Sequence, residues 1–282
     1  MLIQVFVLTL AAATPLVIAA LGELVVEKSG VLNLGVEGMM LIGAVSAFIV
    51  TVHTHSSWLG VGAGIAADAE LTLMIGVHPM PLKANQVATG LALSLFGIGL
   101  SAFIGLPYVA AVVEPIGALD IPVLSSMPVV GPMLFAHNPI VYLSLALFGG
   151  VHGFLYHTRG GLVVRAIGES PQSAHAIGYR VIAIRYATVL FGGACAGLAG
   201  AYLSLAFTPL WTKGMTAGRG WIALALVVFA TWKPWRVVAG AWLFGGVTLA
   251  QFQIQAAGID IPAQLLAMLP YAATIVVLAL IS

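Results

Sequence analysis

The residues that could do chemistry in this sequence are few, and most interrupt long apolar stretches. Asn33, Glu37, Asp68, Glu70 and Gln86 are the notable ones. A charge at membrane depth costs on the order of 2.5–3.5 kcal/mol on insertion scales, so such residues are the first suspects for a site or a pathway. Asn33 and Glu37 stand at the Gly-broken start of an apolar run, after Gly30 and Gly35. Unwound backbone at that depth is tolerated only inside protein or beside a cavity. Asn33 offers both a donor and an acceptor. The alternative is structural, with Asn33 capping the following helix and Glu37 in its first turn complementing the dipole. Gln86, at the start of a later run, is a third candidate. Asp68 and Glu70 could pair with a cation of another helix, line a wet cavity, or mark the end of a span.

Several chemistries lack their residues. Lys28, Lys83, Lys213 and Lys233 are the only lysines, and none follows the Gly-rich run of a phosphate-binding loop. The chain therefore has no ATP site of that kind, and no ATPase activity of its own is expected. His152 and His157 are five apart, which is not the i,i+4 spacing of one helical face, and no H-E-x-x-H is present. No G-x-S-x-G elbow occurs. No metal, cofactor or catalytic residue is expected. Cys195 lies in a Gly/Ala run and reads as a small residue at a helix contact, with no disulfide framework to join.

The elements that must position these residues follow from composition. Of 282 residues, 61% are hydrophobic and 7% charged, with net charge +1 and mean hydropathy +1.10. Soluble domains carry about 25% charged residues, so this surface cannot face water throughout. The near-neutral balance gives no reason to expect nucleic acid as a partner. Apolar stretches of roughly 20 residues match the length of a membrane-crossing helix, and the alternating segments of a β-barrel are absent. The expectation is an all-α, polytopic bundle of about nine spans forming one domain, 1–282. The spans are placed near 2–21, 36–52, 58–77, 85–106, 139–157, 186–207, 221–232, 237–255 and 264–281. The first reads as a retained span, since it lacks a basic leader and a cleavage site.

Orientation follows from Lys and Arg in short loops. Segment 158–185 holds Arg159, Arg165, Arg180 and Arg185 against Glu169, and is placed in the cytoplasm. Lys83, Lys233 and Arg236 then fall inside, whereas Lys213 and Arg219 fall outside, against the trend. The N-terminus is outside and the C-terminus cytoplasmic. The Pro-rich connection 107–138 is extracytoplasmic. Its prolines forbid a continuous helix, and its apolar Val129, Val130, Met133, Leu134 and Phe135 suit either a membrane surface or a partner.

Within 158–185 a short helix has clear ends. Ser170 is a good N-cap, Pro171 suits the first helical position, and Gly178 can take the left-handed stop. The enclosed 171–177 is about two turns, too short to be stable alone. Ala174 and Ile177 offer it a small apolar face. It is either a loop helix on the headgroups or a docking helix. In Gly192–Gly200, Gly193 and Gly197 stand four apart, the spacing of close helix packing, read as packing within one subunit.

These stretches resemble a known family. GVLNLGVEGMMLIGA, residues 30–44, is similar to the signature that opens the permease subunits of nucleoside-type ABC importers, within the wider group for simple sugars and branched-chain amino acids. RAIGESPQSAHAIGYRV, 165–181, resembles the cytoplasmic loop of those subunits that docks into the ATPase. Residues 215–234 and 261–278 resemble the C-terminal half. Between 58 and 81 the chain departs from the pattern, because Asp68, Glu70 and two prolines stand where a plain apolar span is expected.

The resemblance implies a multi-pass protein of the bacterial cytoplasmic membrane that imports nucleosides or related purine compounds. Its partners would be two cytoplasmic ATP-binding subunits, a second permease subunit, similar or identical, and an extracytoplasmic substrate-binding protein. Arg165, Gly168, Glu169, Ser170, Pro171, Ala174, Ile177 and Gly178 would couple to the ATPase. Asn33, Glu37 and Gln86 would lie on the substrate path, with Asn33 suited to a ribose hydroxyl or a base edge. A sugar or vitamin cargo, an ion-coupled transporter using Asp68 or Glu70, and a membrane scaffold are the alternatives.

Overall fold

The computed structural model describes residues 2–76, 85–119 and 131–256, together with residues 262, 265, 268, 269 and 272. The described residues form helices without a sheet. In chain order these are α1 (Leu2–Lys28), α2 (Val36–Thr54), α3 (Ser57–Gly76), α4 (Gln86–Gly105), α5 (Pro139–His157), α6 (Arg159–Glu169), α7 (Pro171–Ala176), α8 (Val181–Tyr202), α9 (Arg219–Phe229) and α10 (Pro234–Ala256). A π-turn, Leu203–Phe207, extends α8.

Six helical stretches are long and apolar enough to cross a membrane: Ile3–Lys28, Val36–Thr54, Gln86–Tyr108, Pro139–His157, Val181–Phe207 and Pro234–Gln255. The expected third span is helical as α3, but it carries Asp68 and Glu70 and is not among the six. The expected seventh is the 11-residue α9, too short to cross a bilayer unaided. The ninth, 264–281, lies outside the described residues except for residues 265, 268, 269 and 272.

Helix α1 runs seven residues past the expected end at Leu21. Its polar last turns meet tertiary partners, although Glu23 Oε2 finds none among the described residues. Glu23 is buried and accepts from the Asn33 amide, and Glu27 accepts from the Trp232 indole N–H. Asn85 caps α4 by accepting from the amides of Val87 and Ala88. Asn138 caps α5, with Pro139 at the first helical position.

Helices α1, α2 and α8 form the buried centre, while α4, α5 and α10 expose most of their surface. Glycines set the close approaches. A Cβ on Gly43 of α2 would lie 2.5 Å from the Gly197 Cα of α8, and Gly197 in turn abuts the Gly64 carbonyl of α3. Gly193 abuts Thr72 and Asp68, so the 193/197 pair packs within this chain. Cys195 is buried against Gly22 of α1. In lipid, where apolar side chains gain little by leaving the acyl chains for one another, such backbone proximity helps hold helices together.

The Pro-rich connection folds back onto its own bundle over its described part. Ile116 N–H donates to the Leu205 carbonyl at 2.9 Å, Val112 bridges Leu210, and Val113 is buried. Of the five apolar residues named for this connection, Val129 and Val130 lie outside the described residues.

Candidate functional site

The break between α1 and α2 is where the predicted polar residues meet. Gly30 takes φ +78° and turns the chain out of α1. The unwound segment that follows has its polar groups met by neighbouring helices. Leu32 N–H donates to Gln86 Oε1 at 2.9 Å, and the Leu34 carbonyl accepts from Ser94 Oγ at 2.8 Å, both from α4. Asn33 N–H donates to Glu23 Oε1 at 3.2 Å. Asn33 Oδ1 accepts from Gly35 N–H at 2.9 Å, and Nδ2 points to Met39 Sδ at 3.4 Å. Asn33 therefore shapes the turn before α2, and Gly35 takes the N-cap position without a side-chain cap. Close packing beside it comes from Gly90, which abuts Leu34, and from Gly38, where a Cβ would stand 2.6 Å from the Ser94 Cα.

Glu37 sits in the first turn of α2, as expected, but its carboxylate serves a different helix. Oε1 accepts from Thr216 Oγ1 at 2.6 Å and from Gly218 N–H at 3.0 Å, and Oε2 accepts from Gly220 N–H at 2.7 Å. Those groups form the N-terminus of α9, whose cap residue Gly218 has φ +81° and supplies no side chain. The first amides of a helix lack internal partners and carry a partial positive charge. A buried carboxylate meets both needs. The N-termini of the membrane-length α2 and the short α9 thus meet, with Glu37 between them. Sequence reasoning named Glu37 but missed Thr216, Gly218 and Gly220. The signal was the glycine pattern at 214, 218 and 220 ahead of an unusually short apolar run.

The short helix of the basic segment has the predicted ends. Ser170 Oγ accepts from the Ser173 amide at 3.3 Å, Pro171 opens α7, and Gly178 takes φ +95°. Its apolar face differs from expectation. Ala174 is 3% exposed and faces its own chain, whereas Ile177, at the end of the helix, is 74% exposed. The two residues do not form one face, because Ala174 lies a turn inside the α6–α7 corner. Arg165 lies over the Tyr156 ring, 5.2 Å from guanidinium to centroid. Glu169 ends α6, and Gly168 abuts the backbone of Lys28 and Gly30.

This last contact brings the basic segment to the α1–α2 break. From α8, Arg185 Nε donates to the Ser29 carbonyl at 3.0 Å and Thr188 Oγ1 lies 2.9 Å from Ser29 Oγ. Ser29 is fully buried. The turn before Asn33 is thus gripped by α6 and by the first turns of α8, on either side of α7.

Asp68 stands apart from this cluster. It is 0% exposed on α3, facing the Gly43 and Gly197 crossing, and neither carboxylate oxygen has a hydrogen-bond partner among the described residues. Glu70 is exposed. Among the described residues no group of three His, Cys, Asp or Glu could hold a metal ion.

Comparison with known proteins bears on this arrangement. A family model described as "Branched-chain amino acid transport system / permease component" matches residues 5–280. The chain belongs to this permease family. Among curated relatives, the provisionally named glucose ABC transporter permease protein TsgC13 of Haloferax volcanii is 46% identical over 251 residues, 88% of this chain and 76% of that protein. The nucleoside ABC transporter permease protein NupC of Lactococcus lactis is 33% identical, covering 95% of this chain and 89% of its own length. The guanosine ABC transporter permease protein NupQ of Bacillus subtilis is 31% identical, covering 96% and 89%. No solved structure matches. The permease resemblance seen in residues 30–44 and 165–181 extends over almost the whole chain.

Proposed function

We propose that this chain is the membrane-spanning subunit of an ATP-driven, binding-protein-dependent importer in the cytoplasmic membrane. Nucleosides or related purine compounds are its cargo, carried by alternating access. The observation that carries the mechanism is the grip of Arg185 and Thr188 on Ser29. It joins the segment around α7 to the turn that bears Asn33 and Glu37. ATP hydrolysed in partner subunits can bias such an equilibrium only through contacts that differ between states. The residues assigned to the ATPase contact are Arg165, Gly168, Glu169, Ser170, Pro171, Ile177 and Gly178. Ala174 supports the corner from inside. Asn33, Glu37 and Gln86 border the substrate path. Their oxygens hold backbone amides and fix its shape, and a second permease and an extracytoplasmic binding protein complete the machine.

Cargo is drawn from the two relatives named for nucleosides, whose alignments cover 95–96% of this chain and 89% of theirs. A sugar cargo is the second reading, favoured by the 46% identity to a relative named for glucose. The deciding experiment is cargo-stimulated ATP hydrolysis by the reconstituted complex with its binding protein, using guanosine, other nucleosides, glucose and amino acids. Stimulation by nucleosides supports the first reading. Stimulation by glucose alone transfers the machine to sugars. Stimulation by none, with transport persisting without the ATPase, would remove the importer reading.

A further inference from the structure

An apolar groove of about 820 Å³ opens between α5, α6 and α8. Leu147, Gly150 and Phe154 line it from α5, and Val163 from α6. Ala183 and Ala187 line it from α8. Gly150 has open space where its Cβ would be, so no side chain among the described residues fills the groove there. The depth of the groove follows two apolar membrane-length helices. Its one charged lining residue, Arg180, stands at the N-terminal end of α8 beside Tyr179. Arg180 is exposed, and its guanidinium has no hydrogen-bond or ion-pair partner among the described residues. The adjoining α6 is amphipathic, with Val164 and Ile167 buried and Arg159 and Glu169 exposed. Both α6 and Arg180 stand where the membrane-length helices α5 and α8 end, which is the headgroup level of a span. The groove therefore runs from a cation at the headgroups into the hydrocarbon.

We propose that this groove is a binding site for one anionic phospholipid, with an acyl chain along Gly150, Ala183 and Ala187 and its phosphate on Arg180. The occupant follows from charge and depth together. An apolar void opening sideways at membrane level takes hydrocarbon. A neighbouring protein helix would strip Arg180 of water and leave it unpaired, which is costly. An anionic headgroup supplies the missing partner, and a basic residue at that level favours it. The site adjoins α7, since Tyr179, Arg180 and Ala183 also line a second cavity with His175 and Gly178. Bound lipid would thus buttress the corner from which α7 projects. This inference does not depend on the cargo.

The test is native mass spectrometry of the assembled transporter, taken from nanodiscs of equimolar phosphatidylglycerol and phosphatidylcholine. Wild type should retain phosphatidylglycerol in preference. Arg180→Gln should lower that preference about fivefold, the scale of one basic residue at the membrane surface. Gly150→Leu, which projects into open space, should lower retention of both lipids, and Ala183→Leu provides the same block from the facing helix. Equal retention of both lipids by wild type, or an unchanged preference in Arg180→Gln, overturns the proposal. So does disulfide cross-linking of Ala187→Cys to a second permease copy, which would make the groove a protein interface. Loss of the ATP-binding subunit from Arg180→Gln with lipid preference intact would assign the cation to that partner and overturn it equally.

Discussion

Glu37 Oε2 accepts the amide hydrogen of Gly220 at 2.7 Å across 183 residues of sequence. With the Thr216 and Gly218 contacts, one buried carboxylate closes the N-terminus of a helix that has no capping side chain of its own. The arrangement depends on glycine at 220, because a Cβ there would meet the Glu37 backbone.

Glu37→Ala should therefore do more than empty a site. It leaves two amides and a hydroxyl unmatched inside protein, and hydrogen bonds to a charged group contribute about 1.5–3 kcal/mol each. A loss of about 3 kcal/mol or more in stability is expected, read as a lowered melting temperature of the purified permease. Glu37→Gln keeps the shape and one acceptor, and should fall between. If Glu37→Ala melts like wild type yet abolishes transport, the residue acts on cargo and not as a latch.

How far the sequence alone reached can be judged from these same residues. The helical membrane class and the ends of α7 were legible, because composition, Ser170, Pro171 and Gly178 act locally. Asn33, Glu37 and Gln86 were legible as polar residues out of place, and the structure brings them to one break. Their partners were not. Glu23 falls between the expected spans 2–21 and 36–52, and nothing in its neighbourhood announces that Asn33 folds back onto it. Thr216 and Gly218 find Glu37 only through the packing of α2 on α9. The Ala174 and Ile177 pair failed for the converse reason. A two-turn helix repeats too few times for periodicity to say which side faces inward.

Gly38→Ala is expected to destabilise the contact between α2 and α4. The added methyl would stand 2.6 Å from both the Cα and the carbonyl oxygen of Ser94, which are backbone atoms that cannot rotate away. Overpacking of this kind costs about 1–3 kcal/mol. The thermal shift should be accompanied by loss of the Ser94 to Leu34 bond. Gly62→Ala on α3, with nothing among the described residues within 4 Å of its Cβ, should be silent in the same assay.

The Ser29 grip makes a quantitative prediction about coupling. Thr188→Val and Ser29→Ala each remove one side of a buried hydrogen bond, each costing about 1 kcal/mol. Because they share that bond, the double variant should be less damaged than the sum, by about 0.5–1 kcal/mol. Both single variants should retain basal ATP hydrolysis in the complex while cargo stimulates it less. Ile177→Asp, at the exposed end of α7, should instead weaken capture of the ATP-binding subunit. Additive damage with normal stimulation would confine Ser29 to packing.

Asp68 offers the sharpest separation between two mechanisms. Its carboxyl group is buried where Gly43 and Gly197 cross, and no hydrogen-bond donor among the described residues meets it. A polar group left unmatched in protein costs about 1–3 kcal/mol. In an ATP-driven machine that cost has no part in transport, so Asp68→Asn should keep ATP-dependent uptake. In an ion-coupled transporter the same change removes the group that carries the coupling ion. Uptake into proteoliposomes distinguishes them, with ATP supplied inside and then with only a proton or sodium gradient. Uptake by Asp68→Asn near the wild-type rate with ATP, and none with a gradient alone, is the expected pair. Gradient-driven uptake by wild type that disappears in Asp68→Asn would make Asp68 the coupling carboxylate and replace the importer reading.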